Sequence, residues 1–149
     1  MRILYNSKNK YHKSPFGCLR QNEVCVLRIK IPVSCQTVSV CLYIKNEYGF
    51  EMTVPFRVEA IEGDYEVYTT EFSLFASDLY FYYFKITTQN ETFDLFKQGD
   101  DTNIGIGDLW QLTCFDKEYD TPADFKGRVM YQIFPDRFAK YGKLTRQAN

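Results

Sequence analysis

Apolar and polar residues alternate along two segments in the first third of the chain. From 24 to 33 the odd-numbered positions are apolar, with Cys25 and Leu27 among them, while Arg28 falls on the other face. From 37 to 45 the even-numbered positions carry the aliphatic residues. A repeat of two residues is typical of a strand with one buried face. The pattern therefore predicts a half-buried strand over each segment.

The segment 79–88 is the most aromatic part of the sequence, and its rings fall on both faces of an extended chain. Aromatic residues pack well on a pleated surface, so this segment predicts a central strand that is covered on both sides. Gln89-Asn90 predicts a tight hairpin into the next strand. The segment 97–108 is rich in Gly, Asp and Asn and is predicted to be a loop.

Other segments of the same character complete the predicted set of strands. They are 52–60, 65–75, 91–96 and 110–115. No segment of helical length shows a convincing repeat of 3.6 residues. Seven short strands with turn residues between them predict an all-β fold, an immunoglobulin-like antiparallel β-sandwich over residues 1–116.

The pattern changes after residue 116. The segment 117–127 is polar and contains Thr121-Pro122, which predicts a linker. Residues 129–134 are then almost continuously apolar, as in a parallel strand that is buried on both faces. The sequence thus predicts a second domain that begins at 128 and is truncated at 149.

Composition and charge exclude several classes of function. The net charge is −1 and no basic stripe is present, so we expect no nucleic-acid partner. No apolar run reaches the roughly 18 residues of a membrane span. The chain turns polar within its first eight residues, so we expect no signal peptide. Five cysteines without CxxC spacing and one histidine, His12, argue against a zinc site. We expect a cytoplasmic protein with reduced thiols, and His12 is predicted to be a solvated surface group.

Three segments near the end carry a family resemblance. Residues 110–113, 119–127 and 129–138, the last containing Tyr-Gln-Ile-Phe-Pro-Asp-Arg-Phe, resemble the domain junction of the α-amylase family, glycoside hydrolase family 13. The likeness is closest to neopullulanases, cyclomaltodextrinases and maltogenic amylases, in which an immunoglobulin-like domain precedes a (β/α)8 barrel. The resemblance implies that residues 128–149 are the first strand of that barrel and the turn after it, and that the source is bacterial.

The resemblance also implies a function for the parent protein. It would be a retaining glycosidase acting on α-glucans such as starch, maltooligosaccharide, pullulan or cyclodextrin, and this fragment alone would be inactive. The domain would serve in dimerisation, substrate access or glucan binding, with a homodimer as one implied assembly. The alternatives are a free-standing carbohydrate-binding module and an adhesion domain of immunoglobulin type without a link to sugar.

Four residues are candidates for a functional site. Trp110 and Tyr131 are candidates for substrate binding, although packing in a core is the more common role of such rings. Asp136 and Arg137 follow the predicted barrel strand and are expected to brace the first loop at the barrel mouth rather than to bind substrate.

No cofactor or metal is expected in this fragment. The acidic residues of 97–108, including Asp100 and Asp101, do not match a calcium-binding loop and are predicted to be solvated. Family members usually carry Asn-Gly-Asp near a calcium ion after the first barrel strand, and this chain has Lys-Tyr-Gly-Lys at 140–143. Calcium is therefore conceivable in the parent enzyme and is not expected at this place.

Overall fold

A computed structural model describes residues 2–118 of the chain. Within them the chain forms eleven β-strands and one short 3-10 helix, Val33–Cys35. The strands are β1 (Lys13–Ser14), β2 (Leu19–Arg20), β3 (Cys25–Pro32), β4 (Thr37–Lys45), β5 (Glu51–Pro55), β6 (Arg57–Glu62), β7 (Tyr65–Phe72), β8 (Asp78–Thr88), β9 (Thr92–Gln98), β10 (Asp101–Ile104) and β11 (Trp110–Phe115).

The strands of this described region form two sheets. The first sheet has the order β1-β3-β7-β6, and all its neighbours are antiparallel. The second sheet is built around β8, which pairs with β4 on one side, and β5 lies outside β4. On the other side of β8, β11 pairs with the first half and β9 with the second half. β10 lies outside β9, and β2 runs parallel to β11.

The core lies between the inner faces of the two sheets. The alternating positions predicted for β3 and β4 point inward, and Leu27, Ile29 and Leu42 are at most 1% exposed. β8 contributes Tyr80 and Tyr82 from its inner face. The prediction of an all-β, immunoglobulin-like sandwich is thus confirmed for residues 2–118. Burial of one face per strand is the reason that the period of two was visible in the sequence.

The predicted single strand over 52–60 is wrong. It consists of β5 in the second sheet and β6 in the first sheet, and the chain crosses between the sheets at Phe56. The amide of Phe56 still donates to the Val40 carbonyl at 2.9 Å, and its ring packs against Phe84 at a centroid distance of 5.8 Å. Apolar residues continue at every second position through the crossing, so periodicity alone cannot show that the partner sheet changes.

Two further expectations are corrected. The segment 97–108 is not loop throughout, because β10 forms an antiparallel pair with β9. The sequence did not predict β10, because only one of its residues, Thr102, is buried and no alternation of apolar residues marks it. The strand β8 is central as predicted, but only its inner face is buried, and outward residues such as Phe81 and Tyr83 are half-buried in the described structure.

The chain end of the sandwich is held by side chains from the β2 region. The Arg20 guanidinium donates to the Lys117 carbonyl at 2.8 Å, and the Lys117 amide donates to the Gln21 side-chain oxygen at 2.9 Å. The amide group of Gln21 also donates to the Phe75 carbonyl at 2.7 Å. The path of the chain is therefore fixed as far as Lys117.

The predicted linker beyond residue 118 and the predicted barrel strand after 128 lie outside the described residues. The domain boundaries at 116 and 127 therefore stay predictions. A search of the described residues finds no helix with the length and apolar character needed to cross a membrane.

Candidate functional site

The structure places Trp110, the sole tryptophan of the sequence, in the core. It is 2% exposed, lies parallel to the Tyr82 ring at 5.7 Å and meets the Tyr5 ring edge-on at 5.1 Å. This is the packing role that the sequence analysis gave as the more common one for such a ring. A role of Trp110 in sugar binding stays a prediction, and Tyr131, Asp136 and Arg137 lie outside the described residues.

A row of stacked aromatic rings crosses the outer face of the second sheet. Tyr43 of β4, Tyr83 of β8 and Phe96 of β9 stack at centroid distances of 5.3 and 5.4 Å. Beside them the Lys85 ammonium contacts Asp94 at 2.8 Å, and this hydrogen bond raises the pKa of Lys85. Partial burial raises the pKa of Tyr83 as well. Because Tyr83 lies between two rings, both its faces are occupied within the protein.

A notch opens beside this row, where β9 and β11 share one side of β8. β11 pairs with β8 up to Tyr82, and β9 pairs with it from Phe84 onward. The notch has a volume of about 550 Å³. Its lining, which defines the term "notch" below, consists of Ser7, Phe81, Lys97, Asp108, Leu109, Trp110 and Gln111.

The register of the strands brings these residues together from distant parts of the sequence. Phe81 lies directly across from Gln111 on the outer face. Lys97 and Asp108 exchange two backbone hydrogen bonds of 2.8 Å, which hold Asp108 at the rim. Neither pairing has a signature in the local sequence, so the notch could not be predicted from it.

A glycine lets the rim approach β9 closely. Gly107 has a φ of 152°, a conformation that side-chain-bearing residues rarely adopt. A Cβ atom on it would lie 2.7 Å from the Lys97 carbonyl oxygen and 2.8 Å from the Phe96 Cβ. The position of Asp108 therefore depends on the absence of a side chain at residue 107.

The polar side chains of the notch are not engaged elsewhere. Within residues 2–118, no side-chain hydrogen bond or ion pair involves Ser7, Lys97, Asp108 or Gln111, and Phe81 stacks on no other ring. Phe81 and Gln111 lie on the outer face of the second sheet, whereas Lys97 and its bridge partner Asp108 fall on the other face, the side of buried Thr102.

A second cavity lies at one end of the sandwich and differs in this respect. It has a volume of about 430 Å³ and is bordered by residues including Arg2, Thr88, Phe93 and Asn103. Arg2, Thr88 and Asn103 donate to main-chain oxygens at distances of 2.8, 3.2 and 2.8 Å. Much of its polar lining is therefore used to hold the loops together.

Acidic residues and histidine do not assemble into a metal site in the described part of the chain. No group of three His, Cys, Asp or Glu side chains there is arranged to hold an ion. Asp100 contacts Lys8 at 3.1 Å.

The prediction that His12 is a solvated surface group is wrong, because it is 8% exposed and its Nδ1 lies 2.8 Å from the Arg28 carbonyl oxygen. The predicted place for calcium, 140–143, lies outside the described residues.

No family model matches the chain. Among curated proteins it is similar to the amylopullulanase of Thermoanaerobacterium thermosulfurigenes, with 28% identity over 146 residues that cover 91% of this chain and 8% of that protein. It is likewise similar to the amylopullulanase of Thermoanaerobacter thermohydrosulfuricus, with 29% identity over 145 residues, 91% of this chain and 10% of that protein. The chain thus spans about a tenth of the length of these relatives.

Two solved structures of enzymes share the fold of this chain. A cyclomaltodextrinase matches with a TM-score of 0.55 and 12% identity, over 75% of this chain and 19% of its own. A cycloalternan-forming enzyme from Listeria monocytogenes, solved with a pentasaccharide substrate, matches with a TM-score of 0.50 and 15% identity, over 70% of this chain and 10% of its own. At these identities the two structures show the fold alone.

The fold defines residues 2–118 as an immunoglobulin-like β-sandwich domain, and the notch and the end cavity are recesses of small-molecule size in it. The resemblance read from residues 110–138 is confirmed. The relatives by sequence identify the chain as resembling the N-terminal domain of an α-amylase-family enzyme of the neopullulanase type, and the neighbours by structure share its fold.

Proposed function

We propose that the chain is a non-catalytic domain of a glycosidase that acts on α-glucans, and that the domain itself binds the glucan. The similarity to amylopullulanases over 91% of the chain carries this proposal. The names of the cyclomaltodextrinase and of the cycloalternan-forming enzyme point to the same class of substrate. The notch, with a volume of about 550 Å³, is a recess of small-molecule size within residues 2–118.

The chemistry would reside in other parts of the parent protein. Retaining glycosidases need two carboxyl groups about 5–5.5 Å apart, one as nucleophile and one as acid and base. In barrel enzymes such groups lie at the ends of strands in a domain of about 250 residues. The 149 residues of this chain hold the sandwich and some 30 residues more, so we expect no hydrolysis by the chain alone.

The test compares the 149-residue chain with the longest protein that its gene encodes. Both are incubated with starch, pullulan and cyclodextrin, and the release of reducing ends is measured. We expect release by the long protein only, and retention of the stereochemistry at the anomeric carbon in its first product. Release of sugar by the 149-residue chain would refute the non-catalytic assignment.

The alternative is a free-standing carbohydrate-binding module. It shares the glucan ligand and differs in having no catalytic partner on the same polypeptide. Sequencing of the messenger RNA beyond the codon of Asn149 separates the two. A downstream barrel with two Asp and one Glu at strand ends supports the glycosidase, and a stop codon supports the module.

A second role, dimerisation, has one supporting feature. β6 is an edge strand of the first sheet, and its Val58 and Ile61 are 55% and 67% exposed. An open edge with exposed apolar residues is a surface on which a second copy can pair. Light scattering of the wild type and of Ile61→Lys tests this role. A dimer that the substitution dissociates supports it, whereas a wild-type monomer at high concentration excludes it.

A further inference from the structure

We infer that residues 2–5 form a strap that joins the two sheets, and that protonation of His12 releases this strap from the sandwich. Release of the strap opens the end cavity, which the strap borders, toward the core. The device belongs to the sandwich itself and does not depend on the proposed function.

The strap is attached to both sheets by a small set of hydrogen bonds. On the first sheet, Leu4 and Lys30 of β3 exchange two main-chain bonds of 2.8 and 3.0 Å. On the second sheet, the Thr102 hydroxyl donates to the Ile3 carbonyl at 2.8 Å. The Arg2 guanidinium donates to the Thr102 carbonyl, also at 2.8 Å. A segment held by so short a ladder can open while the rest of the domain stays folded.

Two side chains of the strap close the core between the sheets. Ile3 and Tyr5 are 7% and 3% exposed. The Tyr5 ring meets the rings of Phe84 and Trp110 at centroid distances of 4.9 and 5.1 Å, and its hydroxyl contacts that of Tyr82. Ile3 also borders the end cavity. Opening of the strap therefore removes one wall of that cavity and uncovers aromatic rings of the core.

A loop connects the strap to β1 and can serve as its hinge. Continuous antiparallel pairing from Leu4 would bring residue 7 opposite Leu27 of β3, but Lys13 stands there instead, six residues later. The side-chain oxygens of Asn6 and Asn9 each accept the amide two positions further on, at 2.9 Å. The loop is thus held largely by its own turns, so the strap can move without displacing β1.

His12 stands at the end of this loop and touches the strap. Its ring meets the Tyr5 ring edge-on at 5.8 Å, and its Nδ1 donates to the Arg28 carbonyl at 2.8 Å. Because Nδ1 already carries a proton, a second proton must bind at Nε2. Nε2 makes no hydrogen bond within residues 2–118, and the residue is 8% exposed. Protonation therefore places a charge where few groups can solvate it.

The charged groups around His12 do not compensate a positive ring. Burial lowers the pKa of His12, the hydrogen bond to the Arg28 carbonyl raises it, and the charge of Lys30 lowers it further. The β6 carboxylates of Glu59 and Glu62 are paired with Arg28 and Lys30 at 2.8 and 2.9 Å. The other titratable groups are phenols with raised pKa values, which stay neutral: Tyr5, Tyr11 and, beyond Tyr5, Tyr82. The closed strap is therefore fully favoured above about pH 6.5 and weakened below it.

The test follows amide hydrogen exchange of the 149-residue chain by NMR at pH 7.5 and 5.5, with each rate expressed relative to an unstructured chain. Leu4 and Lys30 report on the strap, and Phe56, whose amide donates to the Val40 carbonyl, reports on the sandwich. We expect the protection of Leu4 and Lys30 to fall about three- to tenfold at the lower pH. There they should exchange at least about tenfold faster than Phe56 and should not respond to low urea, because a local opening exposes little surface.

Two variants separate the charge of His12 from the strength of the strap. His12→Asn cannot take up a proton, so the protection of Leu4 and Lys30 should be the same at both pH values. Ile3→Ala is the matched control, because it removes a buried apolar side chain from the strap without changing a titratable group. It should lower the protection at both pH values and keep the ratio between them.

Each result supports or overturns the inference. Strap amides that exchange faster than Phe56, ignore low urea and respond to pH only in proteins with His12 support it. Leu4 and Lys30 amides that share the protection and the urea dependence of Phe56 overturn the strap, because residues 2–5 then unfold with the whole sandwich. Equal protection at both pH values in the wild type, or an equal fall in His12→Asn, overturns the role of His12. None of these results bears on the glycosidase parentage.

Discussion

The phenol oxygens of Tyr5 and Tyr82 lie 2.7 Å apart in the middle of the core, although the two residues are 77 positions apart in sequence. Their exposed fractions are 3% and 1%, so each hydroxyl depends on the other as a hydrogen-bond partner. Burial and this contact raise the pKa of Tyr5 well above its ordinary value, and burial raises that of Tyr82. Both residues therefore remain neutral over the whole physiological range.

This pair predicts a non-additive pattern of stability. Tyr5→Phe or Tyr82→Phe alone leaves one buried hydroxyl without its partner and should lower the free energy of unfolding by about 1–3 kcal/mol. The double variant removes both polar groups, so its loss should be smaller than the sum of the single losses. Urea unfolding measures the free energy of unfolding of the wild type, the two single variants and the double variant. Tyr43→Phe, in the outer row, is the control and should cost little; additive losses would contradict the pairing.

His12 predicts that stability depends on pH. Burial lowers its pKa below 6.5, a nearby Lys30 adds to the effect, and the hydrogen bond to the Arg28 carbonyl opposes it. The unfolded chain then binds the proton more readily than the folded one as pH falls below about 6.5, so stability is complete above that pH and declines below it. Unfolding curves at pH 7.5 and 5.5 should show the decline, and His12→Asn, which keeps a donor, should reduce it. An equal decline in the variant would assign the effect to other groups.

We expect a substitution of Gly107 to have a steric cost that the same substitution of Gly105 does not have. Gly107→Ala places a Cβ against the Lys97 carbonyl and should cost roughly 2–4 kcal/mol while displacing Asp108. Gly105→Ala shares the positive φ, at 86°, but its Cβ would meet nothing within 4 Å, so its cost should be about 1 kcal/mol. Thermal and urea unfolding compare the two. Equal costs would show that the close approach at residue 107 relaxes freely.

The cysteines predict an order of alkylation. Cys18 is exposed, whereas Cys25 is fully buried and burial raises the pKa of its thiol to about 11. Since the thiolate is the reactive form, iodoacetamide at pH 8 should modify Cys18 in the native protein and Cys25 only after unfolding. Peptide mass spectrometry over time shows the order, and Cys18→Ser should remove the fast phase. Rapid modification of native Cys25 would contradict the burial.

The sequence predicted those features that one strand displays by itself. The alternation from Cys25 to Ile31 marked β3, and the packing alternative for Trp110 followed from the habits of large rings. Features that need two distant segments were not visible. The crossing at Phe56 keeps the same alternation on both sides, and His12 owes its burial to β3.

The notch is also a feature that depends on segments distant in the sequence. Phe81 was part of the aromatic run, but nothing in the sequence distinguished it from Tyr83. The distinction comes from the register, which gives Tyr83 a ring on either side and sets Phe81 opposite Gln111. Free side chains are recognised only when the partners of all their neighbours are known.

The hydrogen bonds of Arg20 and Gln21 to Lys117 have a practical consequence for protein engineering. Both bonds end on main-chain atoms of residue 117, so any residue other than proline at that position can accept from Arg20 and donate to Gln21. A splice made at residue 116 keeps both contacts as long as Arg20 and Gln21 are retained and the next residue is not proline, which has no amide hydrogen. A graft onto this sandwich therefore has to preserve the side chains of Arg20 and Gln21 rather than the identity of the residue at the junction.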